Sequence, residues 1–247
     1  MAEIDKTPVI QVDSLLKQFG SFKAVNNISF EVMPGEIFGF LGANGAGKTT
    51  AMRILCGLLS PSAGKATVAG FDVARYPERV KRNIGYMSQK FSLYSDLTVY
   101  ENFRFYGGAY GLSRQEIRQK SDELLERLDM QNIRNNLISS IPLGWKQKLS
   151  FSLALFHDPK IVFLDEPTGG VDPITRRQFW NMIYETANKG ITVFVTTHYM
   201  DEAEYCDRVS IMVDGRIVDL GKPEELKNKH QAESMDEVFV KLARAKN

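Results

Sequence analysis

Three short runs in this chain, EIFGFLG, IVFLD and ITVFVTTH, carry apolar residues at almost every position instead of every second or third. Runs of that length, closed by a glycine or a polar residue, predict strands buried on both faces. Helical patterns follow two of them. KTTAMRILCGLL places Met52, Leu55, Leu58 and Leu59 at helical spacing, and RRQFWNMIYETANKG fills the interval between IVFLD and ITVFVTTH. Buried strands alternating with helices predict an α/β fold with a mostly parallel sheet.

The flanks read differently. VIQVDSLLKQFG and NNISFEVMPGE predict strands of a small antiparallel sheet near the N-terminus, separated by the turn-rich GSFKAVNN. From about Phe91 to Leu155 no buried strand is evident, while EIRQKSDELLERLDM aligns Ile117, Leu124, Leu125 and Leu128 on one helical face. That stretch predicts an inserted helical lobe. After His198 the pattern predicts a helix over YMDEAEYC, a hairpin VSIMVDGRIVDLG turning at Asp214 and Gly215, and closing helices in PEELKNK and SMDEVFVKLARA.

Composition narrows the options. The formal charge of +1, from 31 basic and 30 acidic residues, offers no broad attraction for nucleic acid or anionic lipid. Phosphate binding must therefore be local. Cys56 and Cys206 lie far apart without metal-ligand spacing and are expected to be buried thiols. MAEIDKTPVI has no basic flank before an apolar run, so no secretory signal is expected. No stretch approaches the roughly 20 apolar residues of a membrane span.

Such a local site is visible in GANGAGKT, Gly42 to Thr49, which satisfies G-x-x-x-x-G-K-[ST] between a buried strand and a helix. Glycines there turn backbone amides inward, the helix N-terminus adds positive potential, Lys48 reaches the β- and γ-phosphates and Thr49 holds Mg²⁺. A dinucleotide fingerprint is excluded by the spacing, G-x-x-G-x-G in place of G-x-G-x-x-G. A phosphate loop of this kind requires a second buried strand ending in a Mg²⁺-ordering carboxylate, and IVFLDEP supplies Asp165. Glu166 follows as the candidate general base. His198, closing TVFVTTH, is placed to contact the γ-phosphate.

The order GANGAGKT, the glutamine of YMSQK, IPLGWKQKLS, FLDEP, GGVD and TTH resembles the ATP-binding subunit of ABC transporters, most of all the ABC-2-type exporters, over about residues 8 to 229. The resemblance implies a P-loop NTPase core with an N-terminal antiparallel β-subdomain and an inserted helical subdomain, all in one ATPase domain. Residues 8–90 and 156–229 would form the catalytic core, 91–155 the lobe and 230–247 a C-terminal helical extension. It implies ATP and Mg²⁺ as ligands. Gly42, Asn44, Gly45, Ala46, Gly47, Lys48, Thr49 and Thr50 would line the phosphates, with Phe19 stacked on adenine. Gln89 would meet Mg²⁺ or the attacking water beside Thr49 and Asp165, and Asp172 would cross a dimer interface, if it is not simply the cap of the next helix. Expected partners are integral membrane subunits, a short helix of which FSLYSDLTVYENF could cradle, and a second ATPase subunit, identical or not. Nucleic acid is not expected. The expected location is the cytoplasmic face of the cell membrane, where hydrolysis would power export.

One segment departs from the family. Where Ser-Gly-Gly-Gln or a near variant usually grips the other subunit's ATP, this chain has Pro142, Leu143, Gly144 and Trp145. The serine hydroxyl is missing and proline has no backbone donor. A charge-assisted hydrogen bond is worth about 1.5 to 3 kcal/mol, so ATP-driven closure should weaken by about one to two orders of magnitude. Gly144, the helical KQKLSFSLALF and its N-terminal amides survive, with Lys146 and Lys148 nearby. The expectation is a modified gripping loop; the plainer alternative is a structural helix start. Two other functions fit the sequence less well. A soluble ABC-type ATPase acting on ribosomes or DNA would carry a second ATPase domain or a long coiled-coil insertion, and a GTPase would need Asn-Lys-x-Asp where NKHQ stands.

Overall fold

The computed structural model describes residues 7–89 and 93–244. Strands β1 (Ile10–Phe19), β2 (Phe22–Val32), β4 (Ala63–Val68) and β5 (Phe71–Asp72) form an antiparallel sheet in the order β2-β1-β4-β5. The second sheet takes β3 (Ile37–Leu41), β6 (Ile84–Met87), β7 (Ile161–Asp165), β8 (Thr192–Thr197), β9 (Arg208–Val213) and β10 (Arg216–Gly221) in the order β10-β9-β3-β8-β7-β6. From β9 to β6 every pairing is parallel, and β10 joins antiparallel at the edge. All three apolar runs therefore became central parallel strands, as their continuous hydrophobicity requires.

Between the two sheets Phe30 of β2 stacks on Phe38 at 5.5 Å, and Phe194 packs against Phe38, Phe40 and Phe163 at 5.2 to 5.6 Å. Each such buried ring contributes about 1.5–3 kcal/mol of transfer free energy. This cluster fixes β3, β7 and β8 side by side, and their C-terminal ends carry the site. Helix α1 (Lys48–Leu55) follows β3 and buries Ala51, Met52, Ile54 and Leu55 in the same core. On the opposite face α6 (Pro173–Asn188) buries Phe179, Trp180 and Ile183, and α8 (Met235–Arg244) adds Met235 and Val238. Helix α2 (Pro77–Asn83) and α7 (Pro223–Lys229) complete the periphery.

The helical lobe comprises α3 (Val99–Ala109), α4 (Arg114–Arg127) and α5 (Leu143–Ala154). Thr98 with Glu101 and Ser113 with Glu116 form capping boxes that start α3 and α4. Helix α5 is buried on nearly every side. Leu149 and Leu153 join the lobe's own core with Phe103, Ile117 and Leu125, whereas Phe151 and Ala154 join the sheet core.

Four details differ from the sequence reading. Most of GSFKAVNN is strand: the turn shrinks to Gly20 and Ser21, because Ala24 and Val25 have core to bury, and Asn27 absorbs the register irregularity at a φ of 53°. Helix α1 stops at Leu55, with Cys56 as its cap, so Leu58 falls beyond it and is exposed. YMDEAEYC forms a 3-10 helix over Met200–Tyr205 instead of an α-helix. Strands β4, β5 and β6 were not anticipated; β4 exposes Ala63, Gly64 and Lys65, so pairing with β1 and not hydrophobic pattern decides it. Both cysteines are free and buried as expected, with burial raising each thiol well above its ordinary range. Among the described residues no helix is long and apolar enough to cross a membrane. Phe91, the first residue of the proposed cradle, lies outside the described residues.

Candidate functional site

The loop from Gly42 to Gly47 is shaped by close backbone approaches. A Cβ on Gly42 would sit 2.5 Å from the Met212 carbonyl oxygen, and one on Gly47 would sit 2.1 Å from that of Ala24. Gly45 and Gly47 adopt φ of 82° and 104°, a region open to glycine and costly to other residues. The loop is thus clamped between β9 and β2, with Asn44 and Gly45 exposed on its outer side and Ala46 buried beneath. Gly47 caps α1, whose first turn carries Lys48, Thr49 and the half-buried Thr50.

Lys48 is 4% exposed and donates to the carbonyl oxygens of Gly42 at 2.7 Å and Ala43 at 3.1 Å. Its Nζ also stands 3.5 Å from Glu166 Oε1. Burial holds this ammonium below the ordinary lysine range even though Glu166 pulls it upward. Asp165, ending β7 and 2% exposed, accepts from Thr49 Oγ1 at 3.2 Å and Thr196 Oγ1 at 2.7 Å. Burial raises its carboxyl above the usual range, opposed by those two hydroxyls.

Glu166 lies at the centre. Its Oε2 accepts from Gln89 Nε2 at 2.9 Å and lies 3.0 Å from His198 Nδ1, without hydrogen-bond alignment at that ring nitrogen. Its amide donates to the Thr196 carbonyl and hydroxyl oxygens, both at 3.1 Å, while its φ of 49° places it in the left-handed region. A non-glycine residue held there is strained by about 1–3 kcal/mol. Thr196 was not singled out from sequence, although the two hydroxyl residues ending an otherwise apolar strand were the available signal.

These contacts unite six of the expected residues: Lys48, Thr49, Gln89, Asp165, Glu166 and His198. Phe19 stands apart, at the end of the β1–β2 hairpin, half its surface exposed and Lys17 Nζ 5.1 Å from its ring centroid. Asp172 caps α6, accepting from the amides of Ile174 and Thr175 at 3.0 Å and from Thr175 Oγ1 at 2.6 Å, which holds its carboxyl below the usual range.

The altered segment forms the start of α5. Pro142 caps α5 with no side-chain hydrogen bond, and the amides of Trp145 and Lys146 both donate to its carbonyl. A Cβ on Gly144 would meet Thr175 Cγ2 at 2.7 Å, so this glycine admits the first turn of α6. Gln147 donates to the Gly169 carbonyl at 3.1 Å, and Lys148 donates to Gln178 at 2.8 Å. Lys148 is therefore tied to α6, while Lys146 Nζ reaches the Ser139 carbonyl at 3.4 Å.

Between the lobe and β6 lies an apolar cavity of about 380 Å³, lined among others by Tyr86, Leu93, Phe105, Tyr106, Tyr110 and Leu153. Within FSLYSDLTVYENF, Val99 and Phe103 are lobe core and Tyr94 is exposed.

Residues 25–169 match a family described as ABC transporter. Over 247 residues the chain is 44% identical to "Probable multidrug ABC transporter ATP-binding protein YbhF" of Escherichia coli (strain K12), covering 97% of this chain but only 43% of that protein. It is 34% identical to "Linearmycin resistance ATP-binding protein LnrL" of Bacillus subtilis (strain 168), covering 88% of this chain and 70% of the relative. "Daunorubicin resistance ATP-binding protein DrrA3" of Streptomyces coeruleorubidus is 36% identical, over 93% of this chain and 73% of its own. Among solved structures, "Structure of ATP binding subunit of ABC transporter" superposes with a TM-score of 0.85 at 28% identity, covering 95% of this chain and 99% of that one.

Proposed function

Because this chain belongs to the ABC transporter family of ATP-binding proteins, we propose that it binds Mg²⁺-ATP and hydrolyses it to power export through separate transmembrane subunits. The convergence of Lys48, Gln89 and His198 on Glu166, with Asp165 beside it bonded to Thr49, carries this reading. Lys48 supplies three donors, two of them now held by loop carbonyls, and triphosphate oxygens are stronger acceptors for the same group. Amides from Gly42 to Thr50 complete the cradle. Thr49 and Asp165 present the hard oxygen ligands that Mg²⁺ prefers. Bound there, Mg²⁺ would neutralise charge on the β- and γ-phosphate oxygens. No group of three His, Cys, Asp or Glu side chains that could by itself hold a metal ion exists among the described residues. Magnesium ordinarily binds through one or two carboxylates plus substrate phosphates, so the donor set fits.

In hydrolysis Glu166 accepts the proton of a water whose oxygen bonds to the γ-phosphorus while the bond to the bridging oxygen breaks, releasing ADP and phosphate. Gln89 orients that water from one side and His198 meets the γ-phosphate from the other. Phe19 offers its exposed face to the adenine ring. Gly144 and Asp172, brought together through Thr175, form the edge that meets the second ATPase subunit's nucleotide.

The cavity beside Phe105 and Tyr110 suits the apolar side of a short helix from a membrane subunit. Tyr86 and Leu93, which flank Gln89 in the sequence, both line it, so docking there would bear on water positioning at Glu166. The test is ATP turnover by the purified chain, followed by recovery from membranes and identification of what co-purifies. Turnover lost in Lys48→Ala, together with an integral membrane protein in the complex, is the expected result. Recovery on ribosomes with no membrane protein bound would overturn the transport assignment.

A further inference from the structure

Glu202 is a fully buried carboxylate that no step above uses. It lies in the 3-10 helix four residues after His198, and its Oε1 accepts from Thr168 Oγ1 at 2.5 Å. Thr168 is itself 1% exposed and follows Glu166 by two residues, in a turn closed by the Gly169 amide donating to the Glu166 carbonyl. On the other side Arg176 Nε approaches Glu202 Oε1 at 3.8 Å. The Arg176 guanidinium lies 4.3 Å over the Tyr199 ring, and that ring is 4.2 Å from His198.

A buried carboxylate is expensive unless fully paired, and this one is not. Its Oε2 finds no hydrogen-bond partner among the described residues, and Arg176 stays beyond hydrogen-bonding distance. A leucine or methionine of similar volume would fill the same space at lower cost. What the carboxylate does that an apolar residue could not is hold two strands' C-terminal loops in one register: Thr168 after β7 and, through Arg176 and Tyr199, His198 after β8.

We propose that Glu202 is a positioning residue that sets the spacing of Glu166 and His198, with Thr168 and the Arg176–Tyr199 stack as its two arms. The link to turnover rests on the hydrolytic function proposed above. Displacing a reacting group by about 1 Å can cost on the order of 100-fold in rate without weakening binding.

The chain contains three histidines, and His157 and His230 bond elsewhere, to the Ile84 carbonyl and to Asp219. Histidine-labelled NMR can therefore follow His198 with internal controls and without any activity. Thr168→Val keeps the shape and removes the hydroxyl. It should shift the His198 ring signal, leave those of His157 and His230 in place, and lower kcat by about 10- to 100-fold at nearly unchanged KM for ATP. Thr168→Ser should restore both readouts. If Thr168→Val leaves the His198 signal where it was, or if Thr168→Ser fails to rescue it, the clamp is overturned. A wild-type chain that does not turn ATP over would sink the hydrolytic reading, while the His198 signal would still decide the clamp.

Discussion

Two glycine-bearing turns open helices in this molecule, and they are built on opposite principles. At Gly47 the turn into α1 has left-handed backbone, a buried lysine at the next position and main-chain oxygens pressing on two glycines. At Pro142 the turn into α5 has ordinary backbone, an exposed leucine next and a single glycine pressed only by the side chain of Thr175. The first conformation is overdetermined by β2 and β9, so little but a phosphate cradle fits its shape. The second is determined by the neighbouring loop from Gly169 to Thr175, to which Gln147 and Gly144 bind it. A loop held by its own frame can keep its chemistry unchanged. One held by a partner element can lose its serine and still hold its place.

The widest separation between the two should appear in turnover. Glu166→Gln is expected to reduce kcat by about 10²- to 10⁴-fold, the usual contribution of a positioned general base. Nucleotide affinity should persist, since Lys48 and the loop amides are untouched. A Glu166→Gln chain that turns over ATP at the wild-type rate would remove the hydrolytic role from this carboxylate.

The same comparison can be made with matched glycine replacements. Gly47→Ala forces a Cβ into the Ala24 carbonyl at a φ that side chains avoid, and backbone strain of this kind alone costs about 1–3 kcal/mol. Gly144→Ala meets a threonine methyl at ordinary backbone angles, so a cost under about 1.5 kcal/mol is expected as Thr175 gives way. Denaturant midpoints of the two variants would rank them; equal losses would mean that the frames are equally rigid.

Restoring the missing donor tests the weaker turn directly. Pro142→Ser with Leu143→Gly should tighten ATP-dependent dimerisation by about 10- to 100-fold, the equivalent of one charge-assisted hydrogen bond. Sedimentation of the chain with Glu166→Gln in the background, to hold ATP intact, would measure it. No change would show that the segment has become a helix start and nothing more.

How much of this could be read from the residues follows the same division. The three central strands, the phosphate loop and the carboxylate pair were legible because continuous apolar runs and glycine spacing are local signals. Strand β4 was not, since it opens on exposed Ala63, Gly64 and Lys65 with no hydrophobic alternation and only pairing with β1 makes it a strand. The capping of α6 by Asp172 was legible as an alternative, but its bond to the Thr175 hydroxyl beside Gly144 was not. Nor was the burial of Glu202, because a glutamate in YMDEAEYC reads as surface until Thr168 and Arg176 arrive from elsewhere in the chain.

The smallest expected effect concerns stability and comes from Asp165. Burial raises its carboxyl in the folded chain relative to the unfolded one. The folded state therefore binds more protons across the window between the two values, and stability falls as pH rises through that window. Above that window the ionised, buried group is a net liability without a cation. Asp165→Asn should then raise the thermal midpoint of the nucleotide-free chain, by about 2–4 °C for each kcal/mol gained in a protein of this size. The gain should shrink as pH is lowered toward the ordinary carboxylate range, where both states are protonated, and calorimetry across pH 4 to 8 would follow it. Added Mg²⁺ with nucleotide should reverse the order, stabilising the aspartate chain more than the asparagine one. An asparagine variant that is less stable at neutral pH would mean that the bonds from Thr49 and Thr196 outweigh burial, and that the site is assembled before any cation reaches it.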